Sequence, residues 1–204
     1  MLTLIIAETE LELVPPSIAD HPVIVKSAKK RGKSPEKVLL DSNFHHAAMK
    51  KLKDAERRGR PDIVHIVLLC ALESVLNKQG NLTVYIHTRN DILISVDPKT
   101  RIPRSYNRFC GLMEQLLEKG SVENLLRTEK KRLDQLLETM SGEIVILDYG
   151  GAPLTLKRDM VCVVGGFPHG NFVTELPYPR MQISDHRLTA WTVVNELLVR
   201  YELL

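Results

Sequence analysis

The sequence contains no run of eighteen apolar residues, so it offers no membrane-spanning helix. Its opening, Met1-Leu2-Thr3-Leu4-Ile5-Ile6-Ala7, has no basic leader and turns acidic at Glu8, so it is not expected to act as a secretory signal. Cysteine is scarce: Cys70, Cys110 and Cys162 lie far apart and form no CxxC pair. Neither a zinc site nor a disulfide framework is expected, and a reducing cytoplasm is the natural setting. No GxGxxG is present, so a Rossmann-type nucleotide site is not signalled. A P-loop is missed narrowly. Gly32-Lys33-Ser34 is there, but Ser27 stands where the first glycine belongs, and the residues between are bulky and cationic. Such a loop would wrap phosphates poorly, which argues against nucleotide hydrolysis. What is present is ordinary for a folded chain: 204 residues, 44% hydrophobic and 26% charged, enough for one domain or two small ones with a real core.

The net charge of +3 hides an asymmetry. Between Lys26 and Arg60 stand twelve Lys/Arg against four Asp/Glu, so the rest of the chain is net acidic. A face turned toward an anionic partner such as nucleic acid would explain this, and so would a solvated basic loop and helix face.

Strand-like and helix-like segments alternate, which predicts an α/β fold. Thr3 to Val14 reads as a strand around the buried run Leu4 to Ala7. Residues 15–40 read as a basic, loop-rich extension with a short strand at Val23-Ile24-Val25. Helices are expected over 43–58, 61–79, 103–119 and 123–139, and from Asp185 to the end. Strands are expected at 82–87, 92–96, 143–147, 160–164 and 181–183.

Several groupings carry possible chemistry. Arg101, Arg104 and Arg108 are spaced to share one helical face near a helix start at Pro103. Cations there oppose the helix dipole, and a bound phosphate would remove the conflict. Solvated arginines remain the plain alternative. Asp62, two residues after Arg60, can favour the helix dipole or can hold the Arg60 guanidinium for two-point recognition of a base or phosphate. At the C-terminal side, three loops are expected at strand ends: Gly150-Gly151, Gly165 to Gly170, and Ile183 to His186. If they converge, they make a pocket where main chain approaches a flat ligand closely; taken singly, each is a turn. His45 and His46 are adjacent and point apart, so no metal site is expected. Leu188, Trp191, Val194, Leu197 and Leu198 give the last helix an apolar face, for core, subunit contact or both.

Four strings make the chain recognisable: Leu40-Asp41-Ser42-Asn43-Phe44-His45-His46, Arg58-Gly59-Arg60-Pro61-Asp62-Ile63-Val64-His65, Pro103-Arg104-Ser105-Tyr106-Asn107-Arg108-Phe109, and Val164-Gly165-Gly166-Phe167-Pro168-His169-Gly170. Together they resemble the pseudouridine-N1-specific small-subunit rRNA methyltransferases of the SPOUT class, the essential-for-mitotic-growth family in its short archaeal form. The resemblance implies a single SPOUT-like domain over 1–204, with a mostly parallel sheet flanked by helices. It also implies a C-terminal trefoil knot, with 140–204 as the cofactor-binding, knotted part. It implies a homodimer that uses S-adenosyl-L-methionine to methylate N1 of a pseudouridine in small-subunit (16S) rRNA. By matching positions, Gly165, Gly170, Ile183, Ser184, Asp185, His186, Arg187 and Leu188 would hold the cofactor. Arg60, Arg101, Arg104 and Arg108 would bind RNA. Arg60 and Asp62 would form the catalytic pair, with Asp62 steadying Arg60 or assisting removal of the N1 proton. A ribosome-assembly factor whose main role is RNA binding, and an enzyme of the same class acting on another base, are the alternatives.

Overall fold

A computed structural model describes residues 1–204. The apolar run after Met1 becomes the centre of the sheet. Strand β1 (Leu2–Thr9) lies between β2 (Leu82–Thr88) and β7 (Met160–Gly165), parallel to both. Its side chains divide with the two-residue period of a strand buried on both faces. Leu2, Leu4 and Ile6 enter one core, while Ile5 and Ala7 enter the other. Strand β6 (Glu143–Pro153) follows β7 in parallel, and β8 (Arg180–Gln182) closes that edge, also in parallel. The opposite half is antiparallel: β3 (Ile92–Val96) pairs with β2 and with β5 (Leu126–Lys130), and β4 (Ser121–Val122) pairs with β5. The order is β4-β5-β3-β2-β1-β7-β6-β8, with four parallel pairs among the seven, so the predicted mostly parallel α/β sheet is present with an antiparallel flank.

Helices α3 (Pro61–Leu72), α5 (Tyr106–Lys119) and α7 (Ala190–Glu202) cover one face through Val67, Leu68, Phe109, Met113, Val194 and Leu197. The short α6 (Leu133–Glu138) covers the other through Leu133, Leu136 and Leu137. A third, smaller core joins α1 (Pro22–Lys30) to α2 (Ser42–Met49) through Ile24, Ala28, Ala48 and Met49. No helix is long and apolar enough to cross a membrane.

Several expected elements are corrected. Val23-Ile24-Val25 lies in α1, not a strand, so residues 15–40 are less loop-like than the sequence implies. His21 Nδ1 accepts the Val23 N–H and Pro22 takes the first helical turn, while Ile24 and Ala28, one turn apart, are buried. The helix predicted to Arg58 stops at Met49. Beyond it, Asp54 takes a left-handed φ of 57°, and Arg57 and Arg58 turn inward to buried carboxylates instead of following a helical face. The helix over 61–79 is broken at Ser74, whose Oγ accepts the Asn77 N–H and starts a new short helix, α4 (Val75–Lys78). Residues 123–139 form no single helix. Glu123 and Asn124, at φ 50° and 57°, make the β4–β5 turn, and pairing with β3 overrides the helical composition. The last helix begins at Ala190, five residues later than expected.

Candidate active site

At the carboxyl ends of parallel strands β7 and β8, where open α/β sheets bind ligands, two irregular segments face each other. Residues 166–172 leave β7 and residues 183–188 leave β8. With Leu147, Asp148 and Tyr149 of β6 and Ala190 and Val193 of α7, they enclose one cleft. Of the residues assigned from the sequence, Gly165, Gly170, Ile183, Ser184, His186, Arg187 and Leu188 line it. Asp185 does not; its carboxylate accepts from Gln182 Nε2 at 2.8 Å, so it braces the segment. Gly150-Gly151 is not a strand-end turn. Strand β6 runs on through it, and a Cβ on Gly151 would meet the Arg180 carbonyl oxygen at 2.6 Å.

The glycines serve packing more than the sequence alone suggests. A Cβ at Gly165 would strike the Phe167 ring at 2.7 Å, and one at Gly166 would strike Thr9 Cγ2 at 2.3 Å. Gly170 is different: its φ of +89° is the left-handed region that excludes other residues at low cost. Missed from the sequence were Phe167, Asn171 and Phe172, which form much of the wall. Their only sequence signal was adjacency to the glycines. Phe167 and Phe172 meet edge to face at 5.2 Å. Within residues 167–172 and 183–188 a single peptide N–H has a protein partner: that of His186, on Ser184 Oγ. The walls therefore combine apolar faces with main-chain donors left free, a donor set suited to a heterocyclic base. No three His, Cys, Asp or Glu side chains converge as a metal site would require. Burial pushes the Cys162 thiol up to about 12, so it supplies no thiolate nucleophile.

A second group forms where α3 and α5 begin side by side. His65 of α3 reaches the Pro103 main-chain oxygen at 2.8 Å and stacks on Phe109 at 4.5 Å. Arg60 precedes α3. Its Nε and Nη2 donate to the two Asp62 oxygens at 2.8 and 2.7 Å, and this pairing raises the Arg60 pKa against the opposing effect of burial. Arg101, Arg104 and Arg108 are exposed and join no ion pair. Because α5 starts at Tyr106, Arg104 sits before the helix and only Arg108 lies in its first turn, which holds no acid. Arg101 lies in the loop, as a helix start at Pro103 already implied, but Arg104, expected in the first turn, precedes the helix too, so the dipole conflict is confined to Arg108. Asp41 ties this corner to α2: one oxygen accepts the Asn43 N–H at 2.9 Å and the other accepts from Tyr106 Oη. Burial and the neighbouring Asp41 raise the Tyr106 pKa, so its hydroxyl stays protonated.

A third group went unread in the sequence. Glu8, Glu10 and Glu12, all buried beyond the centre of β1, hold Arg57, Arg58 and Arg89. Alternating acids after an apolar strand were visible, but nothing local showed which cations would meet them.

A family model described as EMG1/NEP1 methyltransferase matches residues 4–202. A protein of Pyrococcus furiosus named ribosomal RNA small subunit methyltransferase Nep1 is 53% identical, with 98% of this chain and 96% of that protein covered. One of the same name from Thermococcus onnurineus is 52% identical over 99% of this chain and 98% of its own. Among solved structures, that of Archaeoglobus fulgidus Nep1 bound to S-adenosylhomocysteine superposes with a TM-score of 0.91 at 36% identity, covering 98% of this chain and 96% of that one.

Proposed function

The chain belongs to the EMG1/NEP1 methyltransferase family, and from that premise we propose that it methylates N1 of a pseudouridine in small-subunit rRNA, with S-adenosylmethionine as donor. The observation that carries the reading is the cleft at the ends of β7 and β8. It combines apolar walls with free main-chain donors, on a chain closely similar to a protein that binds S-adenosylhomocysteine.

Gly165, Gly170, Ile183, Ser184, His186, Arg187 and Leu188 would hold the donor, largely through backbone, with Asp185 bracing them through Gln182. When bound, the donor supplies a sulfonium-activated methyl group. What remains for the protein is to place N1 in line with that methyl, exclude water and let the N1 proton leave. Pseudouridine is joined to ribose through carbon, so its N1 carries an amide-like N–H that is a poor nucleophile until deprotonated. Arg60, fixed by Asp62, binds the splayed-out nucleotide. Both Asp62 oxygens already accept from Arg60, which favours orientation over proton removal as its task. Arg101, Arg104 and Arg108 take the flanking phosphates.

The same reading makes residues 1–204 one domain, with 140–204 its cofactor-binding part, knotted by a threaded tail. The strand order supports threading. The chain lays β7 inside β6, passes to the outer edge as β8, then returns as α7 to pack on α3 and β7. Val199, Leu203 and Leu204, exposed at the end of α7, support a homodimer contact. An rRNA substrate and three unpaired cysteines support a cytoplasmic place.

The deciding experiment offers one rRNA hairpin in two versions, with uridine or pseudouridine at the target. Methyl transfer to the pseudouridine version alone is expected. Equal transfer to both would redirect the enzyme to another atom or base. RNA binding with no transfer to either would leave an assembly factor.

A further inference from the structure

The segment joining α2 to α3 carries Arg57, whose guanidinium donates to three acceptors on two other parts of the chain. Nε donates to Glu10 Oε1 at 2.7 Å, Nη2 to Glu8 Oε2 at 2.9 Å, and Nη1 to the main-chain oxygen of Asn171 at 2.6 Å. Its face lies 3.8 Å from the centre of the Phe167 ring. Asn171 and Phe167 are cleft walls. Glu8 completes the fastening, because its carboxylate also accepts the peptide N–H groups of Val173 at 2.8 Å and Thr174 at 2.7 Å. The peptide N–H groups of 167–172 have no protein partner, so Arg57 and Glu8 are the main polar ties that set this segment's position.

The same network reaches the RNA side. The Arg60 peptide N–H donates to the Glu10 carbonyl oxygen at 3.2 Å. Glu10 therefore holds Arg57 with its side chain and Arg60 with its backbone. Between them Gly59, at φ +65°, leaves little room for a side chain, since a Cβ would sit 3.0 Å from Ser42 N. These charges are enclosed: the side chains of Arg57, Glu8 and Glu10 are 13%, 5% and 0% exposed. Enclosed, multiply bonded charges tolerate few arrangements, because a displaced partner leaves a buried ion uncompensated. Glu8 itself sits at φ +50°, a backbone state that persists only where surroundings over-determine it.

We propose that Arg57 is a positioning residue that couples the donor cleft to the RNA-binding Arg60, so that donor and rRNA bind with positive linkage. The proposal rests on the functional reading of the cleft and the arginine cluster. A ligand seated against Phe167 and Asn171 fixes the two groups that Arg57 touches there. With Arg57 fixed, Glu10 and the start of α3 are fixed too, and the RNA has less left to order when it binds.

The test measures the dissociation constant of the target hairpin with and without saturating S-adenosylhomocysteine, for the unaltered protein, Arg57→Ala, Arg57→Lys and Glu8→Gln. The unaltered protein should bind the hairpin tighter by about fivefold or more when the thioether is present. In Arg57→Ala the ratio should fall to within about twofold of one, the scatter expected of independent sites. Arg57→Lys keeps the charge but cannot span three acceptors, and its ratio should lie between. A ratio of one in the unaltered protein, or an undiminished ratio in Arg57→Ala, overturns the coupling. Should Arg57→Ala lose its cooperative melt, a full ratio in both Arg57→Lys and Glu8→Gln overturns it equally. Failure of the unaltered protein to bind either ligand would sink the functional reading and the coupling together. Binding of both with a ratio of one sinks the coupling alone.

Discussion

Asp62 gives each of its oxygens to one guanidinium, a fork-on-fork pair two residues apart across the start of α3. Asparagine in its place keeps one acceptor and turns an amide N–H₂ toward Arg60. The loss of one charge-assisted bond at a partly exposed site is worth roughly 1–2 kcal/mol, about five- to thirtyfold in hairpin affinity. Asp62→Asn should therefore weaken binding of the hairpin and slow methyl transfer together. Unaltered affinity and rate would remove Asp62 from the site. The spacing offered this pair, because both partners lie within three residues, but did not choose it over a helix-dipole role for Asp62; the two hydrogen bonds do. Spacing did not offer the Arg57–Glu8 and Arg57–Glu10 pairs, since 49 and 47 positions separate their members. Long-range ion pairs have no local signature. His45 shows a further residue-scale consequence. Its Nδ1 accepts the Asp41 N–H at 3.1 Å, which requires the neutral ring, and burial holds its pKa below 6.5 although Asp41 pulls the other way. The unfolded chain then takes the proton more readily than the folded one. The stability gained is complete above about pH 6.5 and declines as pH falls below that value. The urea midpoint should drop between about pH 7 and 5 by more in the native chain than in His45→Asn; equal drops would show that this ring does not titrate with unfolding.

At the scale of elements, the start of α5 carries the electrostatic argument. The apolar periodicity correctly placed a helix ending at Lys119, but Pro103 proved to be its approach rather than its first turn. The helix therefore offers its free N–H groups beside Arg108, with Arg104 and Arg101 on the irregular loop that leads into it. Replacing Arg104 and Arg108 by alanine should lower the salt slope of hairpin binding by about two units, one for each phosphate that is no longer neutralised. An unchanged slope with weaker binding would make the two arginines base readers. Elsewhere, elements were misread where tertiary pairing outweighed composition. The charged stretch 123–139 is rich in helix formers, yet left-handed Glu123 and Asn124 and the partner strand β3 turn its first half into part of a hairpin, and only Leu133–Glu138 is helical. The buried centres of the parallel strands were read well because their apolar runs need no partner to be recognised, but their ends were not: β1 stops at Thr9 instead of Val14, and β6 runs on to Pro153 instead of stopping at Leu147.

For the whole molecule, the cleft draws its walls from β6, β7, β8 and α7, elements laid down over the last third of the chain. Of the two glycine loops that suggested it, only Gly165 to Gly170 stands at a strand end and lines it. Its Phe167 and Phe172 walls could not be anticipated, because only packing against each other and against Arg57 turns them inward. A ligand that binds a cleft assembled from so many elements binds the folded state and has no counterpart site in the unfolded chain. It must then raise the unfolding free energy by mass action, about 2.7 kcal/mol at a concentration one hundred times its dissociation constant. For a chain of this length each kcal/mol moves the melting temperature by about 2–4 °C, so S-adenosylhomocysteine at that excess should raise it by about 5–10 °C. Adenosine, which lacks the amino-acid arm, should give a smaller rise at the same concentration if both ends of the cleft take part. A melting curve unmoved by the thioether would mean that these loops do not form a donor site, whatever RNA the arginine cluster holds.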